Sequence, residues 1–146
     1  MTKHGEFSVN TFLGPGSSIN GAIESGGFTR IDGAVQGDVR AKGKVVIGEK
    51  ARLKSNVSGT MVTVGGVVHG NILASERIII LASALILGDV ITRRIQADEG
   101  CLIHGKVLVC QSDEQWDKAV AELENIQRVK STQSERLVKY GKDRSV

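Results

Sequence analysis

Val35-Gln36-Gly37-Asp38-Val39 and Val68-His69-Gly70-Asn71-Ile72 are two copies of one phrase: an aliphatic residue, any residue, a small one, any residue, an aliphatic. The other copies are Ile19-Asn20-Gly21-Ala22-Ile23, Leu53-Lys54-Ser55-Asn56-Val57, Ile86-Leu87-Gly88-Asp89-Val90 and Ile103-His104-Gly105-Lys106-Val107. Successive copies begin 16, 18, 15, 18 and 17 residues apart. A period of this kind predicts a solenoid, in which each repeat buries its apolar residues only against its neighbours.

Outward from the phrase, the blocks Val35–Arg52 and Val68–Leu85 agree further. Val35, Gly37, Val39, Ala41, Val45, Ile47 and Ala51 match Val68, Gly70, Ile72, Ala74, Ile78, Ile80 and Ala84. Apolar positions alternate, which is the periodicity of a strand. The alternation skips a beat near Lys42-Gly43 and Gly48-Glu49, which predicts corners. Three short strands per repeat make a three-sided parallel β-helix of about six turns, roughly 29 Å long at the spacing of paired strands. The aliphatics of the phrase point inward. Asn20, Gln36, Asp38, Lys54, Asn56, His69, Asn71, Asp89, His104 and Lys106 point outward, as a solvated face requires. Leu87 breaks that polarity and, with Ile91, marks an expected exposed apolar spot.

A solenoid leaves its two end turns without neighbours, with unpaired backbone groups and open aliphatics. Ile19, Ile23, Phe28 and Ile31 are assigned to the first turn, and Ile103, Val107, Leu108 and Val109 to the last. These eight form the candidate self-association surface.

The flanks differ. Residues 1–13 read as a flexible tail, ahead of the turn Gly14-Pro15-Gly16-Ser17-Ser18 and a core over 14–110. Phe7, Val9, Phe12 and Leu13 in that tail are candidate membrane-contact residues, weakly inserting singly and strongly when a polymer displays many copies. Folding back of Phe12 and Leu13 over the first turn is the competing reading. Residues 111–146 switch to helical periodicity and a frayed end. Ser112 with Gln115 suggests a capping box, and Trp116, Ala119, Val120, Leu123 and Ile126 form one apolar stripe. Trp116, Val120 and Leu123 are read as a cap over the rod or as a docking surface for a partner.

Composition narrows the function. Hydrophobic residues make up 40% of the 146, yet aromatics are few, so Val, Ile, Leu and Ala must build the core. The net charge of +3 is spread along the repeats rather than gathered on one face, which argues against a nucleic-acid partner. Two cysteines, Cys101 and Cys110, make no disulfide framework. With no signal peptide and no long apolar stretch, a reduced cytoplasmic compartment is expected. His69 and His104 occupy one slot two repeats apart, about 9.6 Å along the rod, too far for one metal ion. No nucleophile-elbow, Walker or zincin motif appears, so no catalytic residue and no cofactor are assigned. Ile47-Gly48-Glu49-Lys50-Ala51-Arg52 and Leu53-Lys54-Ser55-Asn56-Val57-Ser58 resemble two hexapeptide repeats of left-handed β-helix acyltransferases, but that register ends after two units.

Thr11-Phe12-Leu13-Gly14-Pro15-Gly16, Ile31-Asp32-Gly33-Ala34-Val35-Gln36-Gly37-Asp38-Val39 and Val45-Val46-Ile47-Gly48 together resemble the bactofilins, bacterial polymer-forming cytoskeletal proteins, over residues 11 to 110. The resemblance implies a right-handed three-sided β-helix between short tails. It implies nucleotide-independent, end-to-end assembly into non-polar filaments and attachment of the N-terminal tail to the inner face of the cytoplasmic membrane. Roles in cell shape, polar organisation or recruitment of cell-wall enzymes are implied as well. Bactofilin cores often carry an aromatic residue in the C-terminal turn; here Leu102, Ile103, Val107, Leu108 and Val109 are all aliphatic. Two other readings stand beside this one: a trimeric hexapeptide-type acyltransferase, and a dimeric β-helical module that binds a protein partner.

Overall fold

The computed structural model describes residues 9–126 and 128. The chain separates into a unit ending at Gln111 and a second beginning at Ser112. The first is a three-sided parallel β-helix. β1 (Val9–Leu13) leads into a first turn of β2 (Ser18–Asn20), β3 (Ile23–Ser25) and β4 (Phe28–Ile31). The second turn is β5 (Ala34–Gln36), β6 (Val39–Ala41) and β7 (Lys44–Ile47). In the third, β8 (Arg52–Lys54) precedes β9 (Val57–Val64), and in the fourth β10 (Val67–His69) precedes β11 (Ile72–Ile80). Both long strands bend through a corner and serve two faces. β12 (Leu85–Leu87), β13 (Val90–Thr92) and β14 (Ile95–Ala97) form the fifth turn, and β15 (Leu102–His104) and β16 (Val107–Val109) the sixth.

Each face stacks six strands in parallel. The first runs β2-β5-β8-β10-β12-β15. The second runs β3, β6, the start of β9, the start of β11, β13 and β16. The third runs β1, β4, β7, the end of β9, the end of β11 and β14. Register stacks like on like: Val35, Leu53, Val68 and Ile86 form one fully buried interior column, and Val39, Val57, Ile72 and Val90 another.

The small residue of the phrase sits at the corner between the first and second faces. Gly37, Gly70, Gly88 and Gly105 hold positive φ there, and a Cβ on any of them would collide with the backbone carbonyl of the corresponding residue one turn before. Beside this column runs a polar ladder. The amide of Asn71 donates to Asn56 Oδ1 (3.0 Å), that of Asp89 to Asn71 Oδ1 (2.9 Å) and that of Lys106 to Asp89 Oδ1 (2.9 Å). Each side chain thus satisfies the corner amide of the next turn.

The uneven period has a local cause. The corner from the third face to the first holds two residues at 32–33 and 65–66, but four at 48–51, 81–84 and 98–101. The four-residue corners are turns closed by bonds from Ala51 N–H to Gly48, Ala84 N–H to Leu81 and Cys101 N–H to Asp98. Repeats therefore change length without losing register.

Two expectations change here. Residues 9–13, read as part of a flexible tail, form β1, paired with β4 through Thr11–Thr29, Phe12–Arg30 and Leu13–Ile31. The Gly14–Ser17 segment before β2 closes with the same i to i+3 bond as the other corners. Second, Leu87 and Ile91 do not share an exposed spot. Leu87 lies on the outer side of the first face. Ile91 lies on the second, buried within the outward column Leu73–Ile91–Leu108.

In the second unit a helix spans 113–126. Ser112 Oγ accepts the Gln115 N–H at 3.2 Å, an N-cap contact. Asp113 and Glu114 follow, favourable beside the positive end of the helix dipole.

Candidate functional site

The end rungs concentrate what the rest of the rod hides. At the C-terminal end the edge strands are β14, β15 and β16. Their inward residues continue the interior columns by one more rung: Ile95 follows Ile78, Ile103 follows Ile86, Val107 follows Val90 and Val109 follows Thr92. With no further rung, Ile95, Val107 and Val109 are about two-fifths exposed, at 37%, 41% and 40%. Ile103 is partly buried against the core, as is Cys101 beside it. The result is an open apolar triangle edged by strand backbone, which favours pairing with another strand edge. Leu108, also assigned to this surface, points outward from the second face instead, in line with Ile91.

Ile95 is the residue that the repeat phrase missed. The phrase marks only the first corner, and the spacing from there to the third face varies. Val39 to Val45 and Ile72 to Ile78 are six residues, whereas Val57 to Val62 and Val90 to Ile95 are five. Counting β1 as a rung would have located it, because six rungs on the third face end at β14.

The N-terminal end is arranged differently. Its edge strands are β1, β2 and β3, with inward Leu13, Ile19 and Ile23. Ile19 is open, Ile23 is buried and Leu13 packs against the core. Ile31 is not at this end: β1 covers β4, and Leu13 lies in register above an Ile31 that is 0% exposed. Phe28 points outward from the third face, where the Lys44 ammonium stands 5.5 Å from its ring centre. Neither is an open interior residue of the end turn.

Of the membrane candidates, Phe7 lies outside the described residues. Val9 begins β1. Phe12 points outward from it and is 59% exposed, whereas Leu13 turns inward. On the helix, Ala119 and Leu123 are buried, Trp116 and Val120 half-buried and Ile126 exposed.

No constellation for chemistry accompanies these surfaces. His69, Leu87 and His104 stack in register on successive rungs of the first face, so an aliphatic side chain separates the two imidazoles. Among the described residues no three His, Cys, Asp or Glu side chains gather to hold a metal ion. Both cysteines are free thiols. No helix among the described residues is long and apolar enough to cross a membrane.

The chain is similar to known polymer-forming proteins. A family model described as Bactofilin, polymer-forming cytoskeletal, matches residues 11–108. The chain is 28% identical over 98 residues to bactofilin BacP of Myxococcus xanthus, a match covering 67% of this chain but 41% of BacP. It is 26% identical over 99 residues to BacO of the same organism, covering 68% of this chain and 79% of BacO. Among solved structures, the fold matches Thermus thermophilus bactofilin in a cryo-EM reconstruction of double helical filaments. There the TM-score is 0.66 at 26% identity, covering 68% of this chain and 99% of that one. A crystal structure of a phenylalanine-to-arginine mutant of the Thermus protein matches with TM-score 0.58 at 26% identity, over 62% of this chain and all of that one.

Proposed function

The chain belongs to the bactofilin family of polymer-forming cytoskeletal proteins, and from that premise we propose that it assembles end to end, without nucleotide, into filaments that scaffold a membrane-associated process such as cell shape or the placement of cell-wall enzymes. The observation that carries the reading is the open apolar triangle of Ile95, Ile103, Val107 and Val109 at the last rung. Joining two ends buries these aliphatics and continues the strand ladder from one subunit to the next. The opposite end offers Leu13, Ile19 and Ile23 as the second surface. Joining like ends to like gives a filament without polarity, the arrangement the family resemblance implies. Neither contact calls for a cofactor.

Attachment to the inner face of the cytoplasmic membrane is assigned to the N-terminal segment, with Phe7 and the exposed Phe12 as its contacts. Leu13 is withdrawn from that set because it packs against the core. The helix stripe of Trp116, Val120 and Leu123 is read as a regulator of assembly or as a docking surface.

Negative-stain electron microscopy of the purified protein without nucleotide, beside an Ile103→Arg, Val107→Arg double variant, tests the reading. Filaments in the parent and dispersed, folded particles in the variant are expected. Discrete particles in both would reject end-to-end assembly and favour the dimeric module or the trimeric enzyme. Removal of residues 112–146 separates the helix roles: more filament indicates a restraint on assembly, and unchanged filament indicates docking. Vesicle co-sedimentation of a Phe7→Glu, Phe12→Glu variant checks the membrane contact, with loss of binding expected.

A further inference from the structure

Stacking gathers on one face cations that the sequence spreads along its length. Two outward columns run along the third face. One holds Phe28, Lys44, Met61, Arg77 and then Arg94, the residue before β14. The other holds Phe12, Arg30, Val46, Thr63, Ile79 and Gln96. Four of these residues are cationic, and among the described residues neither column holds a carboxylate. On the first face the outward Arg and Lys residues are Arg52 and Lys54. On the second, Arg40 is offset by Glu24 beside it. Carboxylates flank the third face only at its corners: Asp32 bonds Arg30 at 2.9 Å, and Glu76 precedes Arg77. Among the described residues no salt bridge involves Lys44, Arg77 or Arg94. These three lie within four successive rungs, about 14 Å.

We propose that the third face lies flat on an anionic phospholipid surface, so that the rod itself, and not only its N-terminal segment, attaches the filament. The inference deepens the membrane reading above and rests on it. Charge complementarity names the occupant. Lys44 and Arg94 are exposed and Arg77 is half-buried. Their aliphatic stems cross a half-buried apolar floor of Val46, Met61 and Ile79, and their heads meet headgroup phosphates. Of the apolar residues in the two columns only Phe12 is exposed, at 59%. The contact is therefore electrostatic and shallow, with one aromatic side chain entering between headgroups. A stacking platform for bases is not formed, because the Lys44 ammonium stands over the Phe28 ring and Phe12 lies in the other column. β1 is the outermost strand of this face, so the segment before Val9 joins the rod here. A few cations bind a membrane weakly, and a filament repeats them many times.

The test is co-sedimentation of the full chain with phosphatidylglycerol–phosphatidylethanolamine vesicles, beside vesicles of phosphatidylcholine alone. The parent should pellet with the anionic vesicles only, and less so as salt rises from about 50 to 300 mM. A Lys44→Glu, Arg77→Glu variant should bind at least about tenfold more weakly, because each cation near the surface contributes to the attraction. Arg52→Glu, Lys54→Glu makes the same change of charge on the first face and should bind within about twofold of the parent. Circular dichroism verifies the fold of each variant, and electron microscopy verifies its assembly. Lys44→Gln, Arg77→Gln is gentler to the fold and should show an intermediate loss.

Equal loss in the two glutamate variants, or equal binding of the parent to both kinds of vesicle, would overturn the proposal. Full binding by the third-face variant, with loss in Phe7→Glu, would return attachment to the N-terminal segment alone. That outcome overturns the proposal and leaves the membrane reading standing. No binding by the parent would overturn both. A fluorescent DNA oligonucleotide is the competing probe. If the third-face variant loses binding to it while vesicle binding is unchanged, the face belongs to nucleic acid and the proposal is overturned.

Discussion

Ile78 and Ile95 occupy the same slot on adjacent rungs of the third face, yet one is 0% exposed and the other 37%. The residue type, the strand environment and the inward direction are shared. Only the presence of a further rung differs. The comparison teaches that an interface can be made in a solenoid without any special residue: the core chemistry is repeated once more and then left uncovered. The middle of the rod is a stability element, and its last rung, under the proposed end-to-end assembly, is a joining element written in the same letters.

Substituting both positions should pull the two roles apart. Ile78→Arg would bury an unpaired charge among stacked aliphatics and should abolish cooperative folding, a loss of more than about 4 kcal/mol. Ile95→Arg should leave the denaturation midpoint nearly unchanged and remove filaments. Equal loss of stability in the two variants would show that the end rung belongs to the folded core. A milder version compares Ile86→Ala with Ile103→Ala one rung on. The first leaves a cavity and should cost about 2–5 kcal/mol, whereas the second is packed from one side only and should cost about 1–2 kcal/mol, both read by urea unfolding.

Glycines give the same contrast. Gly37→Ala places a Cβ against the Gly21 carbonyl at φ 139°, whereas Gly16→Ala meets only open space at φ 82°. The interior corner should lose well over the ~1 kcal/mol expected for the left-handed conformation alone at Gly16. The smallest effect concerns Thr29. It is fully buried beneath Thr11, and among the described residues its hydroxyl has no hydrogen-bond partner. Thr29→Val should raise stability by about 1 kcal/mol, detected as a higher melting temperature.

What could be read without coordinates follows from how strongly each feature is repeated. The interior columns were legible because every turn repeats the phrase and buries its aliphatics. β1 was not, since Val9-Asn10-Thr11-Phe12-Leu13 lacks the phrase and puts polar Thr11 at an inward position. That missing rung also displaced the N-terminal end: Ile31 was assigned to it, while Leu13 holds the place. Ile95 escaped because the corner before the third face varies by one residue. Ile91 was expected to be exposed beside Leu87 and is buried, because alternation states direction, not burial.

The polar ladder of Asn56, Asn71 and Asp89 has a mechanical consequence. Those bonds and the strand ladders all run along the rod axis, so a pull on the ends loads three faces at once on every turn. Within a subunit the covalent chain backs up each rung. At a joint between subunits nothing covalent does. A filament of such rods under tension should therefore fail at its joints while each piece stays folded. At a joint between C-terminal ends the broken surfaces are the apolar triangles of the last rung, so rupture there should leave units ready to rejoin rather than damaged protein.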